Sequence, residues 1–182
     1  KLEDIFGKKL FIANDRAELK RYCNELNEIK MDFVVQEIVK GRPDQQFSLA
    51  GYCKEDGDIL AYCMTNKLRQ VYFGQGTFVS SAYISELLDA GGTLLKKLDY
   101  SGIFEIEFIK DESDGTYKII ELNPRCWSQI LLATRMGVNV AYLAFLDKSG
   151  CEIPDNFHAV HKKKYWINFD SDWHFHIKPM LI

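Results

Sequence analysis

The sequence lacks the spacing of a disulfide framework or a zinc site. Its five cysteines, Cys23, Cys53, Cys63, Cys126 and Cys151, are scattered, and no Cys-x-x-Cys pair occurs. An odd set of scattered thiols fits reduced, mostly buried cysteines in a cytosolic protein. No run approaches the roughly 18 apolar residues of a membrane span, and the first residues have no signal-peptide pattern, so a soluble, cytoplasmic protein is expected. A formal net charge of −3 without a Lys/Arg stripe gives no footprint for a nucleic-acid backbone. The one basic run, Lys162-Lys163-Lys164, sits between apolar residues and reads as a solvated strand end. The histidines His158, His161, His174 and His176 are all C-terminal. His174 and His176 would share one face of a strand, which permits a metal pair. With no cysteine or acid at zinc-site spacing beside them, ordinary strand histidines are the better reading. No Ser/His/Asp or Cys/His arrangement suits nucleophilic catalysis. There is no internal repeat, heptad or low-complexity linker, so 182 residues favour a single α+β unit of two lobes over two independent domains.

What the sequence does contain is an acid-bearing hairpin. Phe104-Glu105-Ile106-Glu107-Phe108-Ile109, the polar turn Lys110 to Thr116 with its Asp-Gly pair, and Tyr117 to Arg125 form a strand, turn and strand pattern. Alternate side chains of a strand point to the same side. Glu105, Glu107 and Ile109 therefore share a face, as do Ile119, Glu121 and Asn123 on the returning strand, while Phe104, Ile106, Phe108, Ile120 and Leu122 bury the other side. Two carboxylates and an amide oxygen, with a guanidinium two residues on, suit a hard divalent cation bound together with phosphate. Without further support, acids on an exposed hairpin face are ordinarily solvated.

Around the hairpin, Lys8 to Ala13 reads as a short strand. Asn14 or Asp15 can cap a helix in which Leu19, Tyr22, Cys23, Leu26 and Ile29 recur at helical spacing. Asp32 to Val39 reads as the next strand. Phe47 to Cys53 and Ile59 to Asn66 flank an Asp-Gly turn and form a second hairpin, and Gly74-Gln75-Gly76-Thr77 is expected to be a loop. Ile84 to Leu98 marks a helix interrupted or loosened at Gly91-Gly92. Helical stretches follow at about Ser128 to Met136 and Val140 to Asp147. From His158 onward a terminal strand and then irregular chain are expected.

Four blocks together resemble the ATP-grasp superfamily, most closely its carboxylate–amine ligase-like members related to carbamoyl-phosphate synthetase. Glu107-Phe-Ile with Glu121-Leu-Asn-Pro-Arg125 resembles the metal-binding hairpin. Val34 to Gly41 resembles the strand and hinge that hold adenine, and Asn66-Lys67-Leu68-Arg69-Gln70 resembles the Lys-x-Arg-Gln segment of this branch. Ala133 to Asn139 resembles the helix and Gly-x-Asn turn that follow the metal hairpin. Each block alone is weak; their common order over roughly positions 8 to 150 is the signal.

The resemblance implies an ATP-grasp fold of two α+β lobes, with antiparallel sheets and flanking helices. Residues 1–44 would be part of the smaller lobe with the adenine hinge, and residues 45–182 the larger lobe with the metal hairpin and a C-terminal extension. Family members carry an earlier phosphate-contacting lysine and a glycine-rich loop that are not seen here, so an N-terminally truncated, catalytically inactive fragment of a longer enzyme is expected.

The resemblance further implies that Glu107, Glu121 and Asn123 bind Mg²⁺ or Mn²⁺, and that Arg125, Lys67 and Arg69 contact phosphate or the carboxylate substrate. Gln36, Glu37, Ile38 and Val39 would read adenine largely through main-chain groups. Asp44 would meet the ribose and Ile109 would lie beneath the base. Solvated basic residues at Lys67 and Arg69, a turn aspartate at Asp44 and a plain core residue at Ile109 are the ordinary alternatives. Glu105 does not match the ligand position, and Trp127 and Gln129 are candidates to line the substrate pocket. The implied activity is ATP-dependent joining of a carboxylate to an amine through an acyl phosphate. A non-catalytic nucleotide-binding module and a phosphoryl transferase that stops at the acyl phosphate are the alternatives. Expected partners are small-molecule carboxylate and amine substrates, with homo-oligomerisation through regions outside the chain left open.

Overall fold

A computed structural model describes residues 2–8, 10–71, 74–154 and 163–180 of the chain. It divides into two compact units, Lys1–Ile38 and Val39–Ile182. His158, His161, Lys162, and the start of the expected terminal strand lie outside the described residues.

In the first unit, α1 spans Leu2–Phe6 and α2 spans Arg16–Glu28. Asp15 is the N-cap of α2: its Oδ1 accepts from the main-chain N of Ala17 and of Glu18, each at 2.8 Å, which satisfies two donors that have no partner inside the helix. Phe11 stacks on Tyr22 of this helix with ring centroids 4.6 Å apart. Lys8 to Ala13 and Asp32 to Val39 were both expected as strands, yet the described residues of neither form one. A strand exists only where its N–H and C=O groups find a ladder, and no described segment supplies one here. The β-branched residues that suggested a strand are left in the open, Val34 at 89% exposure.

The second unit is built on one antiparallel sheet. Its strands are β1 (Gln46–Cys53), β2 (Ile59–Val71), β3 (Gln75–Ala82), β4 (Gly102–Lys110), β5 (Tyr117–Asn123) and β6 (Tyr165–Ile167), in the order β5-β4-β1-β2-β3-β6. Helix α3 (Ser85–Lys97) crosses one face, where Leu87 and Leu95 pack with Leu49, Met64, Phe104, Ile106 and Phe108. Burying side chains of this size stabilises by about 2 kcal/mol each. The helix runs unbroken through Gly91-Gly92, contrary to the expected interruption. Gly91 serves close approach instead: a Cβ there would come within 2.4 Å of Leu49 Cδ2. The strand β3 likewise begins at Gln75, inside the segment expected as a loop.

Helices α4 (Ile130–Arg135) and α5 (Val140–Lys148) cover part of the opposite face, with Leu132, Val140 and Leu143 packed on Ala50, Tyr52, Cys63 and Val79. The Tyr52 hydroxyl donates to Asp147 Oδ2 at 2.6 Å and fixes α5 to β1; burial and that carboxylate push the phenol pKa up. The rest of this face carries the polar residues of the hairpin. Beyond β6, α6 (Phe169–Asp172) continues into a wide helical turn over Trp173–Ile177. His174 and His176 lie in that turn, not on a strand, and so do not share a strand face.

Candidate active site

Register decides which side chains meet. Across β4 and β5, Glu107 is directly opposite Glu121 and Glu105 is opposite Asn123, so these four residues occupy one face. Like charges directly opposed on a sheet destabilise it unless something neutralises them. Part of the compensation is visible: Lys67 Nζ donates to Glu107 Oε2 at 2.7 Å and to the carbonyl of Gly74 at 2.7 Å. Lys67 is buried and Glu107 partly so. The guanidinium of Arg125 donates to Asn123 Oδ1 at 3.1 Å and to the carbonyl of Cys126 at 3.1 Å.

Two β-bulges change what alternation alone implied. One lies between Glu107 and Phe108 and makes Ile119 the partner of Phe108, so Ile119 leaves the face of Glu121 for that of the apolar row. The other lies at Leu68: Lys67 pairs with Val79 but Arg69 pairs with Phe78, its sequence neighbour. Lys67 and Arg69, expected on one face, therefore separate. Arg69 stacks its guanidinium 4.4 Å from the Phe78 ring centroid and holds Asp172, with Nε to Oδ1 at 2.8 Å. Thr77 Oγ1 donates to the same Oδ1 at 2.8 Å. The carboxyl of Asp172 is fully buried, and the Arg69 guanidinium holds its pKa below the ordinary value against the cost of desolvation.

Glu105 is the residue sequence reasoning undervalued. It is 6% exposed, and burial, followed by the charge of Glu107, raises its carboxyl to about 7 despite Lys67, the Ser48 hydroxyl and Arg125. Its place on the Glu107 face was readable from strand alternation. Its burial was not, because the covering chain comes from elsewhere in the fold. Trp127 and Gln129, candidates to line a pocket, are both buried just before α4, Trp127 within the apolar core under α4 and α5. Ile109 is buried in a close fit with Gly41, where a Cβ would come within 2.6 Å of Ile109 Cγ1. Asp44 pairs with Arg42 on the surface. Gln36, Glu37 and Ile38 belong to the first unit, and Val39 to the second.

The donor set fits a hard cation. Glu107, Glu121 and Asn123 offer only oxygen, the preference of Mg²⁺, and two opposed carboxylates beside a buried third leave negative charge to be balanced. Among the described residues no group of three or more His, Cys, Asp or Glu side chains is arranged to hold a metal ion, so the fit rests on two carboxylates, an amide oxygen and ligands from outside the protein. The buried thiols are poor nucleophiles: burial raises Cys63 to about 12. No described helix is long and apolar enough to cross a membrane.

No family model matches the chain. It is 24% identical over 147 residues to D-aspartate ligase of Enterococcus faecium, covering 78% of this chain and 35% of that protein. It is also 24% identical over 161 residues to the arginine-specific large chain of carbamoyl phosphate synthase of Bacillus subtilis, covering 83% of this chain and 15% of that one. The chain thus spans about a third of the first relative and less of the second. Among solved structures, N5-carboxyaminoimidazole synthetase of Staphylococcus aureus complexed with ADP aligns with TM-score 0.67 at 14% identity, over 97% of this chain and 50% of its own. Taken together, the sheet and these likenesses show that the chain has an ATP-grasp fold, and its sequence is similar to those two enzymes.

Proposed function

We propose that this chain is part of an ATP- and Mg²⁺-dependent ligase that joins a carboxylate to an amine through an acyl phosphate. The observation that carries the reading is the opposition of Glu107 and Glu121, with Asn123 one pair along and Lys67 and Arg125 beside them. Glu107, Glu121 and Asn123 would hold the magnesium, which offsets phosphate charge as the phosphoryl group moves. In the reaction a substrate carboxylate oxygen takes the γ-phosphoryl group and ADP leaves; the amine nitrogen then attacks the acyl carbon, loses its proton, and phosphate leaves. Lys67 and Arg125 supply the cationic donors for the phosphoryl and acyl oxygens. Arg69 is retained as a candidate at the carboxylate, though its contacts with Asp172 give it a second role. Gln36 to Val39 would read adenine, Asp44 the ribose, and Ile109 would offer the base an apolar surface. A cytoplasmic location, and small molecules as the only substrates, belong to the same reading.

The test is ADP release by the whole protein as a function of added amine. Glu121→Gln is expected to lower turnover by about two to three orders of magnitude, the scale of a lost electrostatic stabiliser. Release that ignores the amine in every pairing with a carboxylate would sink ligation, and full activity in Glu121→Gln would remove that residue from the site.

A further inference from the structure

On the face that carries Glu107, a cavity lies two strands beyond Lys67. Lys67 pairs with Val79 and Val79 with Trp166, so Trp166 continues the row of Lys67 out to the sheet edge. There a cavity of about 480 Å³ opens between Leu131, Leu132 and Arg135 of α4 and the segment Lys163 to Trp166. Its volume is that of a small-molecule site. Its walls are anchored. Leu132 is in the core and Trp166 packs against it, while the main chain of Lys164 is tied to Ser81, N to Oγ at 2.9 Å and O from N at 2.8 Å.

The chemistry of this cavity is one-sided. Arg135, Lys163 and Lys164 all line it, and among the described residues no acid does. Among the described residues none of the three has a carboxylate partner, whereas Arg21, Arg42, Lys67, Arg69, Lys96, Lys118 and Lys148 all do. Three cations around an apolar floor concentrate positive potential at one place, and an anionic ligand would complement it. The sequence reads Lys162 to Lys164 as a solvated strand end; Lys163 and Lys164 do lie exposed and half-buried just before β6, and there they share a cavity with an arginine from a different element.

We propose that this cavity anchors an organic anion, a carboxylate or phosphate carried on an apolar or aromatic body, and that the anion belongs to a substrate of the proposed reaction. The inference rests on the ligase reading, which puts the reacting end of that substrate toward Lys67 and Glu107. Leu131 and the aromatic rings receive the body; the guanidinium of Arg135 and the two ammonium groups receive the charge.

Phenylacetate is a suitable probe, with phenylacetamide as its uncharged isostere, followed by Trp fluorescence and calorimetry on the whole protein. Phenylacetate is expected to bind saturably and phenylacetamide at least about tenfold more weakly. Arg135→Ala and Lys164→Ala should each weaken phenylacetate about tenfold or more, as the loss of one charge-assisted contact requires, with unfolding midpoints unchanged. Equal binding of acid and amide, no saturable binding, or unaltered affinity in both variants would overturn the site. Mg-ADP titrated into the same protein separates the two readings. Phenylacetate binding without Mg-ADP binding leaves an anion cavity and removes the ligase reading together with the substrate assignment. Mg-ADP binding without phenylacetate binding removes this inference alone. If both bind, tighter phenylacetate binding in the presence of Mg-ADP supports a substrate, and an affinity indifferent to the nucleotide overturns that assignment in favour of a separate effector.

Discussion

At the scale of single residues, the candidate site is held by charges that constrain one another. Lys67 is buried, and its ammonium is satisfied by one carboxylate and one carbonyl. Removing one partner of such a pair leaves a desolvated charge, which costs more than the pair contributes. Lys67→Ala should therefore destabilise the second unit by about 3 kcal/mol, and adding Glu107→Gln should restore part of that loss. A double-mutant cycle by urea unfolding would read a coupling of about 1–3 kcal/mol. Additive single effects would mean that the ion pair is incidental and that Lys67 matters for packing alone. The common face of Glu107, Glu121 and Asn123 was legible because strand alternation depends only on local sequence. The burial of Glu105 is set by tertiary packing and the partner of Arg69 is Asp172, about a hundred positions on, and no local pattern reports either.

At the scale of elements, the hairpins and helices were legible from periodicity and turn residues, and the errors fell where tertiary contact overrode local preference. The pair Gly91-Gly92 illustrates this. Read locally, two glycines weaken a helix, since each costs roughly 1 kcal/mol against alanine; in the fold one of them admits the helix to the sheet. The two positions should respond with opposite sign. Gly91→Ala puts a methyl group into Leu49 and Ile106 and should destabilise by about 1–3 kcal/mol as overpacking, more than the helix gains. Gly92→Ala meets nothing closer than Ile59 Cδ1 at 3.9 Å and should stabilise by about 0.5–1 kcal/mol. Thermal unfolding of the two variants decides it, and equal shifts would show that α3 does not approach the sheet at Gly91. The bulges at Leu68 and between Glu107 and Phe108 have the same origin. An extra residue in one strand leaves no mark on its own sequence, yet it moves every later side chain to the other face.

At the scale of the molecule, the sheet is extended beyond the hairpins by a C-terminal segment that pairs β6 with β3 and then folds α6 over the ends of β2 and β3. The segment is tied in through Asp172, which accepts from Arg69 and Thr77. This attachment was not legible, because nothing near residue 172 announces a partner about a hundred positions earlier. It predicts a pH dependence whose sign is fixed. The folded-state pKa of Asp172 lies below its ordinary value, chiefly through the Arg69 hydrogen bonds. Its contribution is therefore complete above the ordinary aspartate pKa of about 3.9 and is lost as pH falls through the lower folded value. Asp172→Asn should be less stable than the natural chain by about 2 kcal/mol at neutral pH, discounted for the partly exposed guanidinium. The gap should close as the pH is lowered past the aspartate range, because the natural chain then loses the same charge. Urea unfolding at pH 7 and at successively lower pH measures it. A gap that stays constant with pH would show that the Asp172 carboxylate does not supply the tie, and that shape alone holds the C-terminal segment against the sheet.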